Sequence, residues 1–176
     1  MRRIPGGSDG YNPVGGLVEA TDGLLYGTNN LGGYSGWGVL FRITPTGDFN
    51  LLRPFDWNTG ASPQTALIQH TNGRLYGDTA IGGTAGDGVF YSYDVGLQPF
   101  VTFLPAGGRV GAQIEILGQD FTGTTAVSVN GVPAKFAVRL STYLTATVPN
   151  GATSGYITIA TPSGTLKSNR KFLVWP

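Results

Sequence analysis

Apolar and polar residues alternate in short runs along most of the chain. Val127 and Val129, then Ile157 and Ile159, sit two residues apart with smaller or polar residues between them. A period of two is the mark of a strand with one buried face, because successive side chains point to opposite sides of a sheet. This pattern predicts seven strands in the second half, near residues 99–104, 113–118, 126–129, 135–138, 143–148, 155–161 and 171–174. In the first half it predicts strands near 17–20, 24–28, 38–44 and 49–55. No long segment carries a helical period. Asp22-Gly23 lies between the first two strands and suits a two-residue type I′ hairpin, in which both central residues take positive φ.

The first half then repeats itself fifty residues on. Gly16-Leu17-Val18 through Leu25-Tyr26-Gly27 returns as Ala66-Leu67-Ile68 through Leu75-Tyr76-Gly77. Asp22-Gly23 returns as Asn72-Gly73, Gly32-Gly33 as Gly82-Gly83, Gly36 as Gly86, and Gly38-Val39 as Gly88-Val89. A fixed period of this size points to one supersecondary unit used twice, each copy burying its apolar face on the next. Four strands in about fifty residues is the size of a propeller blade. The expectation is two four-stranded blades, at about 6–55 and 56–97, followed by an antiparallel sandwich over 99–176.

Composition supports an all-β reading. The chain of 176 residues holds 29 glycines and 11 prolines, which favours turns over helices. Its net charge of +1 argues against nucleic acid as a main partner. Charge is divided unevenly: residues 1–98 carry eight acids and five bases, residues 99–176 two acids and six bases. That shift supports a domain change near residue 98. With no cysteine, disulfides and thiolate metal sites are excluded. No run is long enough for a membrane helix, so membrane insertion is not expected. The start, Met1-Arg2-Arg3, has the charge of a signal peptide but no apolar stretch comes after it, so no export signal is expected in this chain.

The residues Asn12-Pro13, Gly16-Leu17-Val18, Asp22-Gly23, Leu25-Tyr26-Gly27-Thr28, Gly32-Gly33, Gly38-Val39-Leu40-Phe41-Arg42-Ile43-Thr44-Pro45 and Gly47 resemble the GloVer family of tandem repeats. The second copy keeps Leu75-Tyr76-Gly77, Gly82-Gly83 and Gly88-Val89-Phe90. The resemblance covers residues 6–97. It implies a propeller-like stack, a parent protein at the bacterial surface or outside the cell, and no known reaction. The tail resembles an IPT/TIG domain through Phe103-Leu104-Pro105, Gly107-Gly108, Val129-Asn130-Gly131-Val132-Pro133-Ala134, Ala146-Thr147-Val148-Pro149, Ile157, Ile159 and Phe172. That likeness implies an immunoglobulin-like sandwich serving as a binding or spacer module. Since propellers need about four to eight blades, two repeats leave faces uncovered. The expectation is a fragment of a longer array, with self-association through those faces.

Candidate chemistry is sparse. Gly6-Gly7-Ser8-Asp9-Gly10 fits G-x-S-x-G, but a nucleophile elbow needs a strand before Ser8 and a helix after it. An ordinary glycine-rich turn explains it as well. His70 is the only histidine, so any Ser-His-Asp mechanism must use it. It stands where the first copy has Ala20. Asp78 replaces Thr28 and Asp87 replaces Trp37; together with loop carbonyls they could hold Ca²⁺ through oxygen. Tyr34 and Trp37 in the first glycine loop, and Trp57, offer aromatic faces for sugars or apolar ligands, or pack between blades. The leading expectation is a non-catalytic extracellular or surface module binding carbohydrate or protein. The alternative is a small metal-assisted lactone or ester hydrolase built on His70, Asp78 and Asp87. A purely structural spacer with no ligand is the third reading.

Overall fold

In the computed structural model, residues 7–176 are described. Short strands joined by glycine turns make up nearly all of them; the one helical element among them is a 3₁₀ turn over Gly7–Asp9, and no sheet closes into a barrel. The chain forms two compact units, one running through His70 and again over Arg74–Leu97, the other made of Thr71–Gly73 and Gln98–Pro176.

In the first unit, β1 (Val18–Glu19), β2 (Leu25–Asn29), β3 (Val39–Ile43) and β4 (Phe49–Pro54) form an antiparallel meander in sequence order. The second copy supplies β5 (Ile68–Gln69), β6 (Leu75–Asp78) and β7 (Phe90–Tyr93). It has three strands and not the expected four. After β7 the Asp94 carboxylate accepts the Gly96 N–H at 2.9 Å, and Val95 and Leu97 pack against the repeat core. Those residues therefore fill the core instead of pairing with β7.

The turns differ from the expected type. Gly23 and Gly73 have φ of 77° and 86°, but Asp22 and Asn72 are not among the residues with positive φ. Gly23 N–H donates to Ala20 C=O at 2.9 Å, and Ala20 N–H donates to Leu24 C=O at 2.9 Å. This is a three-residue loop closed by a left-handed glycine, the bulge form of a hairpin. Asp22 acts through its side chain, whose Oδ1 accepts the Leu24 N–H at 3.1 Å. Asn130-Gly131 in the second unit does take positive φ at both positions, 47° and 83°.

The glycine loops show how closely the copies correspond. Gly38 N–H donates to Gly32 C=O at 2.9 Å, and Gly88 N–H to Gly82 C=O at 3.0 Å. Gly33 N–H donates to Gly7 C=O at 2.9 Å, and Gly83 N–H to Trp57 C=O at 2.7 Å. Gly7 and Trp57 thus hold the same backbone position, although only one has a side chain. The copies share one core, in which Ala20, Tyr26, Leu40 and Phe55 meet Leu67 and Leu75.

The second unit contains β8 (Thr102–Leu104), β9 (Gly107–Gly108), β10 (Gln113–Leu117), β11 (Ala126–Val129), β12 (Val132–Pro133), β13 (Phe136–Leu140), β14 (Tyr143–Thr147), β15 (Ile157–Thr161), β16 (Gly164–Lys167) and β17 (Leu173–Val174). One sheet runs β13-β14-β10-β8, the other β12-β11-β15-β16, and β17 pairs with β9 in parallel. Ile114, Ile116 and Leu144 of the first sheet share a core with Val127, Val129, Ile157 and Ile159 of the second. The alternating apolar residues are therefore the inner layer between two four-stranded sheets. Trp175 lies outside this core and is 52% exposed.

Candidate functional site

The two repeats present the same sheet face to different surroundings. In the first, Val18 pairs with Tyr26 and Thr28 with Leu40, which places them on one side of the sheet. Fifty residues later Ile68 pairs with Tyr76 and Asp78 with Phe90. We call this the trailing face of each repeat. In the first repeat it is sealed: Tyr26 and Leu40 are 0% exposed and Thr28 is 2%. In the second it is open, with Phe90 at 76% and Ile68 at 68%. The difference lies in the layer packed on top. Leu67 and Leu75 of the second repeat cover the first, and within this unit no described layer covers the second.

This open face forms a cavity of about 500 Å³ lined by Thr65, Ala66, Ile68, His70, Tyr76, Gly77, Asp78 and Phe90. Its wall is aromatic. The His70 ring meets Tyr76 edge-on at 5.5 Å, and Tyr76 stacks with Phe90 at 5.8 Å. Thr65 Oγ1 donates to Asp78 Oδ1 at 2.8 Å. Arg74 Nε donates to Ser92 Oγ at 3.2 Å, and Arg74 reaches Asp94 at 3.3 Å in an exposed ion pair of small energetic weight. Position 78 shows the effect of opening the face. Thr28, its counterpart, has a buried Oγ1 with no hydrogen-bond partner, whereas the Asp78 carboxylate is exposed and bonded.

The structure brings together two of the residues singled out in the sequence, His70 and Asp78. Neither Ser8 nor Asp87 lines their cavity. Ser8 is exposed in the 3₁₀ turn Gly7–Asp9, which leads into an isolated bridge at Tyr11 and not into a helix, so the nucleophile-elbow context is missing. Asp87 lies in the glycine loop, bridged through its backbone to Gly82. Among the described residues, no three histidine, cysteine, aspartate or glutamate side chains group as metal ligands.

The aromatic candidates separate. Trp37 is half-buried against the repeat core, and its ring lies 5.2 Å from that of Trp57, tilted by 60°. Trp57 is 43% exposed and Tyr34 is 86% exposed. Asp56 fixes the turn that carries Trp57: its Oδ1 accepts the Thr59 N–H at 2.8 Å, and this bond holds the carboxyl below its usual range. Sequence reasoning missed Ile68, Tyr76 and Phe90 as site residues. They are apolar or aromatic in both copies, so nothing in the sequence separates the sealed version from the open one.

A family model described as the Gloeobacter/Verrucomicrobia repeat matches residues 3–133. The match runs past the repeats into the second unit, as far as Pro133 in β12. No curated protein matches the chain. Among solved structures, it is similar to a fungal alcohol oxidase of the AA5 family in complex with copper, at 16% identity, covering 92% of this chain and 42% of that one, with a TM-score of 0.28.

Proposed function

The chain belongs to the Gloeobacter/Verrucomicrobia repeat family, and from that premise we propose that it is a non-catalytic binding module that docks a protein on the trailing face of its second repeat. One observation carries this reading: Phe90 is 76% exposed at the position where its counterpart Leu40 is 0% exposed. A contiguous apolar surface with a few polar groups at its edge is the usual form of a docking site. His70 and Asp78 then serve as polar markers around an aromatic floor. Such a module suits a surface or extracellular parent protein, and the second unit acts as an IPT/TIG-like spacer. Two facing four-stranded sheets support that last assignment.

The experiment is a selection of displayed proteins against the whole chain, followed by binding to variants. Binders should be lost in Phe90→Asp and kept in Tyr34→Ala. If Tyr34→Ala or Trp57→Ala abolishes binding while Phe90→Asp leaves it intact, the docking face is wrong.

A second reading draws on the Trp37–Trp57 pair. With Tyr34 nearby in sequence and exposed, these rings could stack on a sugar. A glycan array in which Trp57→Ala removes a signal would favour it.

A further inference from the structure

We propose that the trailing face of the second repeat receives the opposite, leading face of the first repeat of another copy of this chain, so that copies join head to tail. This rests on the docking reading above and names the partner.

The template for the joint is inside the molecule. The leading face of the second repeat, built from Leu67, Leu75 and Tyr91, packs against the trailing face of the first. The first repeat carries a leading face of the same construction in Leu17, Leu25 and Phe41. In both, a glycine in the middle strand lets the flanking leucine and aromatic ring lie across it. A Cβ at Gly27 would fall 2.6 Å from Leu17 Cδ2 and 2.9 Å from Phe41 Cζ. A Cβ at Gly77 would fall 3.0 Å from Leu67 Cδ2 and 2.8 Å from Tyr91 Cζ. Yet Leu67 is 3% exposed and Leu17 is 53%. On the first repeat's leading face Phe41 is 4% exposed and Leu25 half-buried, so the opening is at Leu17. Each chain therefore carries one leading face open at Leu17 and one open trailing face, and surfaces of these two kinds already meet once within it.

The two faces differ, so the contact is heterologous and can propagate or close into a ring. It should also be weaker than the internal joint. Tyr93 Oη donates to Leu52 C=O at 3.2 Å across the internal joint, and Ile43, the counterpart of Tyr93, has no hydroxyl. Asp78 stands in place of Thr28, and covering a carboxylate opposes burial. Thr65 holds one of its oxygens and limits that cost. The result is reversible association, governed by concentration.

Sedimentation of the full chain over a concentration series tests this with Leu17→Asp, which spoils the leading face, and Phe90→Asp, which spoils the trailing face. Both positions are exposed, and matching circular dichroism and melting curves establish folding. The wild-type mass should rise past the monomer with concentration. Each variant alone should remain a monomer. Their equimolar mixture should stop at a one-to-one dimer, because it contains one intact face of each kind. A wild type that stays monomeric throughout would overturn the proposal, as would Leu17→Asp assembling like wild type. The wider docking reading is distinguishable: a monomeric wild type whose selected binders are lost in Phe90→Asp sinks the self-partner alone.

Discussion

The Tyr26 hydroxyl donates a 2.8 Å hydrogen bond to Oδ2 of Asp22, tying strand β2 back to the hairpin turn that precedes it. Burial, and then this carboxylate, push the Tyr26 phenol from 10.0 up to about 12. Tyr91 moves in the same direction, through burial and then the charge of Asp78. A raised value means that the folded protein holds the phenolic proton more tightly than the unfolded chain. The contribution is complete below pH 10.0 and is lost as pH rises through about 12. Denaturant midpoints across the alkaline range should therefore fall in that window. Tyr26→Phe should cost about 1 kcal/mol at neutral pH and flatten the alkaline decline. An identical decline in both proteins would contradict this account.

Leu40 and Phe90 provide a matched pair. They occupy the same position in the two repeats, yet one is 0% exposed and the other 76%. Leu40→Ala removes packed atoms from the joint between repeats and should cost about 2–5 kcal/mol. Phe90→Ala removes a larger side chain and should change stability by no more than about 0.5 kcal/mol. Equilibrium unfolding measures both. Comparable losses would mean that the trailing face of the second repeat is covered within the folded chain.

The same pair shows what could be read from the sequence. The period was legible because Gly32, Gly33, Gly36 and Gly38, with their counterparts, all take positive φ. Few residues other than glycine do so without strain, and the repeat is written in them. The alternation of Val127 with Val129 and Ile157 with Ile159 was legible for a similar reason, since all four are at most 2% exposed. Strand β16 was not read. Leu166 is its one large apolar residue, packed on the core between exposed Thr165 and Lys167, so this short edge strand offers a single inward position and no repeat of it. The site was half legible. His70 and Asp78 stood out because they replace Ala20 and Thr28, but the exposure of Phe90 depends on whether a further sheet is stacked on it, which local sequence does not encode.

The glycine loops give a graded prediction. Gly88 has φ of 92°, and a Cβ there would collide with the Thr79 carbonyl oxygen. Gly36 has φ of 80° and open space around its Cβ. Gly36→Ala should cost only the left-handed strain, about 1–2 kcal/mol. Gly88→Ala adds a backbone collision and should cost clearly more. Thermal melts of the two variants rank them. Equal losses would show that the loop yields around Gly88.

Ser168 poses a separate test in the second unit. It is 4% exposed, and its Oγ accepts the Ile157 N–H at 3.0 Å while donating to the Arg170 carbonyl at 2.7 Å. One hydroxyl thus satisfies a donor at the start of β15 and an acceptor in the segment leading to β17. Ser168→Ala leaves the Ile157 N–H buried without its acceptor and should destabilise this unit by about 1–3 kcal/mol. Ser168→Thr keeps the hydroxyl and should recover part of that loss, limited by the room for its extra methyl. Amide exchange reads the effect directly. The Ile157 N–H should exchange much faster in Ser168→Ala, while the amides of β2 and β3 in the first unit keep their rates. Unchanged protection at Ile157 would mean that the side-chain bond does not hold this strand.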